Sequence, residues 1–201
     1  MRTTSSLKKM VTIALLSAIA YLIMYIAFPL PLFPTFLTID ISDIPAIIGA
    51  ILFGPVAGIT IEALKNLIHY LTTGSATGVP IGEIANLLAG SVLIVTSSLI
   101  YKKGKTIRSF LIGLSLGSLV MAVVMSVANY YLIFPAYAKF MGFSEETMVQ
   151  LGQAANPSIT NLFTLIILAV LPFNIIKGII ITLISLPLWM RLRPRLMKHT
   201  S

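Results

Sequence analysis

The chain contains no cysteine and few charged residues. The absence of cysteine from all 201 residues excludes a disulfide framework, a thiolate metal site and a thiol nucleophile. Charged residues form only 10% of the sequence, whereas 57% is hydrophobic and the mean hydropathy is +0.99. A soluble domain of this length does not bury so much apolar surface. The composition therefore predicts a polytopic membrane protein.

Residues that could form a catalytic centre are equally scarce. The only two histidines, His69 and His199, are far apart in the sequence. Gly113-Leu-Ser-Leu-Gly117 matches the nucleophile-elbow pattern of hydrolases, but that pattern needs a strand, a turn and a histidine partner. In an apolar run, glycines four residues apart are more typical of close helix packing. We therefore expect no enzyme activity, no catalytic residue and no metal site.

Long apolar runs, divided by proline and glycine, predict the helices. Three prolines between residues 29 and 34 end the first run, Gly54-Pro55 divides the second, and Pro172 suits the first turn of the last helix. We predict an all-α integral membrane protein, a single domain over residues 1–201 with six transmembrane helices. Their predicted ranges are about 9–28, 44–53, 56–71, 81–101, 109–134 and 172–190, with an outer loop over 135–171 that contains helical pieces.

Basic residues cluster at the ends of the predicted helices. Lys8 and Lys9 precede the first helix, four basic residues lie between positions 102 and 108, and four lie between 191 and 198. By the positive-inside rule, both termini and the loop between helices 4 and 5 are cytoplasmic. Two cytoplasmic termini require an even number of crossings, which six satisfies. The net charge of +8 thus indicates membrane topology, and no nucleic-acid partner is expected.

Lys177 is an ionisable side chain within the last predicted helix. An intramembrane lysine is costly, and by default it marks a functional site. Asn174 lies three residues earlier, so both side chains share one helix face. The alternative is structural: the lysine could reach the membrane interface or pair with a carboxylate.

Polar residues recur near the outer ends of two other predicted helices. Glu83 and Asn86 share a face of helix 4, and Asn129 lies near the end of helix 5. Each has a simpler explanation, since an acid suits a helix N-terminus and a single buried asparagine often joins two helices. Together with Asn174 and Lys177, they predict a polar pocket at the outer ends of helices 4, 5 and 6, capped by the proline-rich first loop.

Two further patterns lie on helices 1 and 3. One stripe of helix 3 carries four polar residues, Glu62, Lys65, Asn66 and His69. An internal Glu62–Lys65 ion pair is favoured there over contact with a ligand. On helix 1, alanines at positions 14 and 18 would let another helix approach closely. The spacing leaves open whether that helix belongs to this chain or to another protein.

The order of these motifs resembles the substrate-binding S component of energy-coupling factor (ECF) vitamin transporters, most closely the riboflavin-specific type. The resemblance covers nearly the whole chain, and its main segments are residues 40–45, 62–69, 82–86, 129–131 and 172–178. It implies high-affinity riboflavin binding from outside a prokaryotic plasma membrane, and uptake together with a transmembrane coupling subunit and two ATPases. An S component for another vitamin, such as thiamin or pantothenate, is the alternative. A stand-alone secondary transporter would usually show repeated halves, and none is evident.

The resemblance also implies roles for individual residues. Riboflavin is the expected bound substrate, and no cofactor is implied. Three residues would read the pyrimidine edge of the isoalloxazine ring, whose carbonyls and imide N–H match amide and ammonium groups: Asn129, Asn174 and Lys177. Six residues would close over the ring and the ribityl chain: Leu37, Thr38, Asp40, Gly82, Glu83 and Asn86. Ala14 and Ala18 would dock on the coupling subunit.

Overall fold

The protein is almost entirely helical, with one short pair of strands. The computed structural model describes residues 2–74 and 78–197, so His199 lies outside the described residues. The all-helical class is confirmed. The α-helices are α1 (Arg2–Met24), α2 (Asp43–Phe53), α3 (Pro55–Thr73), α4 (Ile81–Gly104), α5 (Ile107–Ala128), α6 (Phe134–Met141), α7 (Glu145–Ala155), α8 (Leu162–Leu165) and α9 (Leu171–Met197). Two π-helical segments, Asn129–Ile133 and Ile166–Val170, join α5 to α6 and α8 to α9.

Membrane-spanning character is concentrated in four helical stretches of the described chain. These stretches are long and apolar enough to cross a bilayer: Ser6–Met24, Ile81–Gly104, Ile107–Met141 and Leu162–Pro194. The helix α2 is apolar but has only 11 residues, and α3 carries several polar groups on one face. Six crossings and cytoplasmic termini therefore stay predictions.

The central core lies where α2 packs between α3, α4 and α9. Residues 43–50 of α2 are all buried, so this short helix has no face left for solvent or lipid over that range. The helices α4 and α5 approach closely at Gly113, where an added Cβ would lie 2.7 Å from the Ser97 carbonyl oxygen. At Gly117 it would lie 3.1 Å from Leu93. The interpretation of these two glycines as a helix-packing face is confirmed.

The first predicted helix ends earlier than expected. Instead of continuing to about residue 28, α1 ends at Met24, and Phe28–Pro29 forms strand β1. Pro29 disfavours the helical conformation for Phe28, which pairs in extended form with Ile39 of strand β2, Thr38–Ile39. This antiparallel pairing folds the first loop back on itself. It holds in place the segment around β2, which includes Leu37, Thr38 and Asp40.

The second helical boundary agrees with its prediction. Gly54 separates α2 from α3 with a φ of 95°, a conformation that favours glycine, and Pro55 occupies the first turn of α3. The two helices therefore form a sharp corner, as the Gly-Pro pair indicates.

Two other prolines do not interrupt the helical backbone at the predicted boundaries of 134 and 172. The chain stays helical from Ile107 to Met141 and again from Leu162 to Met197. In both places a π-helical turn precedes the proline: Phe134 donates to the Asn129 carbonyl before Pro135, and Leu171 donates to the Ile166 carbonyl before Pro172. The wide turn shifts the hydrogen bonding by one residue just before the ring, where proline supplies no N–H. The predicted outer loop over 135–171 contains helical pieces, as expected, namely α6, α7 and α8, and its non-helical residues are confined to the connections on either side of α7.

Candidate functional site

A cavity of about 470 Å³ lies where the first loop, α4, α5, α6, α7 and α9 meet. Its volume is within the usual range for a small-molecule pocket. All nine residues predicted to bind substrate line it: Leu37, Thr38, Asp40, Gly82, Glu83, Asn86, Asn129, Asn174 and Lys177. The fold thus brings together residues from both ends of the sequence. Whether each one contacts a ligand stays a prediction.

Asn129 and Asn174 lie beside the two π-helical segments. Asn129 begins the first segment, and Asn174 follows the second by four residues. Each side chain donates one Nδ2 hydrogen to a carbonyl on the preceding turn, Met125 or Val170, at 2.8 Å. An amide offers two donors and one carbonyl acceptor, so each keeps a donor and an acceptor for a ligand. Wide turns of this kind are frequent at functional sites, which agrees with their position here.

Lys177 lies in the cavity wall and is also paired with carboxylates. Its side chain is buried, and its Nζ lies 3.2 Å from Asp40 Oδ2 and 3.2 Å from Asp43 Oδ2. The structural alternative considered for this lysine, pairing with a carboxylate, is therefore present in the structure. An ammonium has three donors, and two ion pairs leave one for a ligand. The functional and structural roles are compatible.

Asp40 is fixed by contacts on both carboxylate oxygens. Oδ1 accepts from the backbone N–H and the hydroxyl of Ser42. Oδ2 accepts from Lys177 and from Asn86 Nδ2, the latter at 3.0 Å. Burial alone would raise the pKa of Asp40, but the charges of Lys177 and Lys65, with the Ser42 hydrogen bonds, hold that pKa well below its usual range. Asp40 is thus an anion that orients the first loop against α4 and α9.

A second buried lysine extends this charge network into α3. Lys65 Nζ lies 2.6 Å from Asp43 Oδ1 and 2.9 Å from Glu62 Oε2, so the predicted Glu62–Lys65 pair is confirmed. Asp43 contacts both lysines and joins the two halves of the network. Gly90 of α4 leaves room for the Glu62 carboxylate, because an added Cβ there would lie 2.6 Å from it. Such a network survives burial only because each charge has an opposite neighbour.

The remaining polar residues connect α3 to α4 at the cavity. His69 Nδ1 lies 3.1 Å from Glu83 Oε1, and both side chains line the cavity. Asn66 donates to Asn86 Oδ1 at 3.3 Å, which orients the amide that donates to Asp40. The polar stripe of α3 therefore mainly supports α4 and the charge network, as its structural interpretation predicts. His69 is the one member that also reaches the cavity.

Comparison with known proteins identifies the family. A family model described as "ECF transporter, substrate-specific component" matches residues 8–189. The chain is 38% identical to the riboflavin transporter FmnP of Bacillus subtilis, over 96% of each chain. It is 39% identical to the riboflavin transporter RibU of Staphylococcus aureus, over 92% of this chain and 90% of that one. A solved structure of the S component of a bacterial ECF transporter is 35% identical, with a TM-score of 0.77 over 95% of this chain and 98% of that one.

The chain belongs to the ECF transporter S-component family. The S component is accordingly a multi-pass protein of the cell membrane, in a family that serves transport. The resemblance inferred from the ordered motifs is confirmed.

The apolar wall of the S component's cavity is the part that sequence reasoning missed. It is formed mainly by aromatic and aliphatic side chains from the first loop, α6, the connection after α6, and α7: Phe36, Phe134, Tyr137, Phe143, Met148 and Leu151. Edge-to-face ring contacts order part of this wall, since Phe36 meets Phe134 with ring centroids 5.9 Å apart. A signal for α7 was available, because Ser144 caps the helix and Met148 and Leu151 share one helix face.

Ala14 and Ala18 lie on the exposed surface of the S component. Both are exposed on α1, whereas Ser17 and Ala20 of the same helix are buried against the chain's own core. Among the described residues, no helix of this chain covers the two alanines. The face is available to another molecule, and its role in docking stays a prediction.

Proposed function

We propose that this S component binds riboflavin with high affinity from outside the cell and supports its uptake. The observation that carries the proposal is that one cavity is lined both by many apolar side chains and by the polar groups of Asn129, Asn174 and Lys177. An isoalloxazine ring has the matching division: a flat apolar surface, and one edge of carbonyl acceptors and an imide N–H. The relatives FmnP and RibU are named riboflavin transporters, which supports the same substrate.

The residues at the polar edge would share the recognition. The free amide donors of Asn129 and Asn174 and the third donor of Lys177 would meet the ring carbonyls, and an asparagine Oδ1 would accept from the imide N–H. Leu37 and Thr38 of the first loop would cover the ring. Gly82, Glu83 and Asn86 at the start of α4 would lie along the ribityl chain, whose hydroxyls can donate to the carboxylate.

Uptake would need protein partners. The proposed arrangement has six crossings and both termini in the cytoplasm, with α2 and α3 as the short second and third crossings. A separate transmembrane coupling subunit would dock on the Ala14–Ala18 face, and two ATPase subunits would supply energy from ATP. This chain would bind the vitamin and would neither hydrolyse ATP nor catalyse a reaction.

The substrate proposal is tested on the purified protein. Full-length S component in detergent should show flavin absorbance when purified from riboflavin-containing cells. Flavin-free protein should quench riboflavin fluorescence with nanomolar affinity, and thiamin and pantothenate at the same concentrations should not compete. A monodisperse preparation that binds no riboflavin, or that binds thiamin or pantothenate instead, would refute the proposal.

A further inference from the structure

A second cavity, of about 420 Å³, lies at the opposite end of α4 from the vitamin site. It is bounded by the end of α2, the Gly54-Pro55 corner, the last turns of α4 and one residue of α9. Its lining includes Ile51, Leu52, Phe53, Lys102, Lys105 and Trp189. The cavity shares no lining residue with the vitamin site.

The rim of this cavity is cationic and lacks carboxylates. Lys102 and Lys105 line it, and neither forms a salt bridge with a described residue. All six acidic residues of the sequence lie elsewhere, four around the vitamin site and two in the first turn of α7. No carboxylate of the described residues therefore competes with an anionic ligand for these two lysines.

The backbone of the rim is held in place. Lys105 caps α4 in the left-handed conformation, with a φ of 51°. Its carbonyl accepts a hydrogen bond from Arg193 Nη2 of α9 at 2.9 Å. The two lysines thus project from a turn that is fixed at α4 and tied to α9.

The interior of the cavity is apolar. Ile51, Leu52 and Phe53 of α2 supply one side of it. Trp189 of α9, only 1% exposed, forms part of the wall. The cavity therefore combines cationic side chains with an apolar surface.

We propose that this cavity binds an anionic phospholipid, with the phosphate at Lys102 and Lys105 and an acyl chain along Ile51, Leu52 and Phe53. A basic pocket between transmembrane helices is the usual place for an acidic lipid headgroup. A free anion would use the rim but would leave the apolar interior unfilled, so the combination favours a lipid.

The sole tryptophan of the chain makes the test direct. Full-length, flavin-free protein in neutral detergent is titrated with phosphatidylglycerol whose acyl chains are brominated, and quenching of Trp189 emission is measured against the unbrominated lipid. Phosphatidylcholine with the same brominated chains is the headgroup control. We expect quenching at a phosphatidylglycerol concentration about tenfold lower than for phosphatidylcholine, since each lysine near an acidic lipid contributes a severalfold preference.

Two double variants that remove the same charge distinguish binding in the cavity from a general attraction of the acidic lipid to the basic loop. Lys102→Gln/Lys105→Gln should weaken phosphatidylglycerol binding about thirtyfold, or about fivefold for each lysine. Lys103→Gln/Arg108→Gln removes the same charge from the same loop but not from the cavity, and should leave binding within about twofold of wild type.

Three results would overturn the proposal. The first is equal quenching by the two brominated lipids, which would show no selection of the headgroup. The second is an equal loss of binding in the control pair, which would assign the effect to loop charge alone. The third is complete release of quenching by excess glycerol phosphate, which would show that the site holds a free anion.

Discussion

At the scale of single residues, Lys177 is both a cavity group and a member of a charge network. For Lys177→Met, we expect riboflavin affinity to fall about 10- to 100-fold, because a hydrogen bond from a charged group contributes about 1.5–3 kcal/mol. Thermal stability should fall too, since Asp40 and Asp43 lose the cation that lies 3.2 Å from each. Fluorescence titration measures the affinity, and a thermal unfolding assay in detergent measures the stability.

A second variant separates the two roles of Lys177. Asp43 does not line the vitamin cavity, so Lys177→Met/Asp43→Asn returns the network to its original net charge without changing another cavity group. Part of the stability should return while the affinity stays low. Recovery of affinity together with stability would show that Lys177 acts only by pairing.

The buried carboxylate of Asp40 leads to a prediction of how the stability of the protein depends on pH. Its pKa is held well below the usual range in the folded protein, so the unfolded chain takes up a proton first as the pH falls. The stabilisation by Asp40 is fully present above its unfolded pKa of about 3.9 and is lost as the pH falls below that value. The difference in unfolding temperature between wild type and Asp40→Asn should therefore stay constant from about pH 8 to pH 5 and narrow below about pH 4. A difference that already narrows between pH 7 and 5 would contradict this account.

At the scale of elements, α1 has one face in the core and one face free. Ala14→Trp and Ala18→Trp should leave riboflavin affinity unchanged and abolish uptake in cells that carry the complete transporter, because a large side chain prevents close helix approach. Ile19→Trp is the matched control: Ile19 is exposed on the same helix but lies about 100° around its axis from Ala18. Uptake retained in the alanine variants, or lost equally in the control, would remove the docking assignment.

The same scale shows why some element boundaries could be predicted and others could not. Gly54-Pro55 ends α2 and starts α3 through local backbone preferences, which the sequence displays directly. Pro135 and Pro172 have the same local preference against helix, yet each follows a π-helical turn that accommodates it. The two π-helical segments contact each other, so packing between the helices also takes part in this outcome. The backbone preferences of single residues cannot predict a contact between two segments that are distant in the sequence.

At the scale of the whole molecule, the absence of cysteine allows a clean test of topology. Lys103 and Lys139 are both exposed, and the proposed six-crossing arrangement places them on opposite sides of the membrane. In intact cells, a membrane-impermeant maleimide should label Lys139→Cys and should label Lys103→Cys only after permeabilisation. Retained riboflavin uptake serves as the control for native folding of both variants. Labelling of both positions from outside would refute the arrangement.

The sequence by itself determined the membrane class, the family and the polar residues that line the first cavity. Hydropathy and charge near the spans are local properties, and an asparagine or lysine within an apolar run is conspicuous without a structure. Only the tertiary structure decided that Lys177 pairs with Asp40, 137 residues earlier in the chain. It also decided that α6 and α7 supply an apolar wall and that a second, cationic cavity lies at the other end of α4. The physical reason is common to these cases: ion pairs and cavity walls form between elements distant in sequence, so their partners are set by packing and not by local pattern.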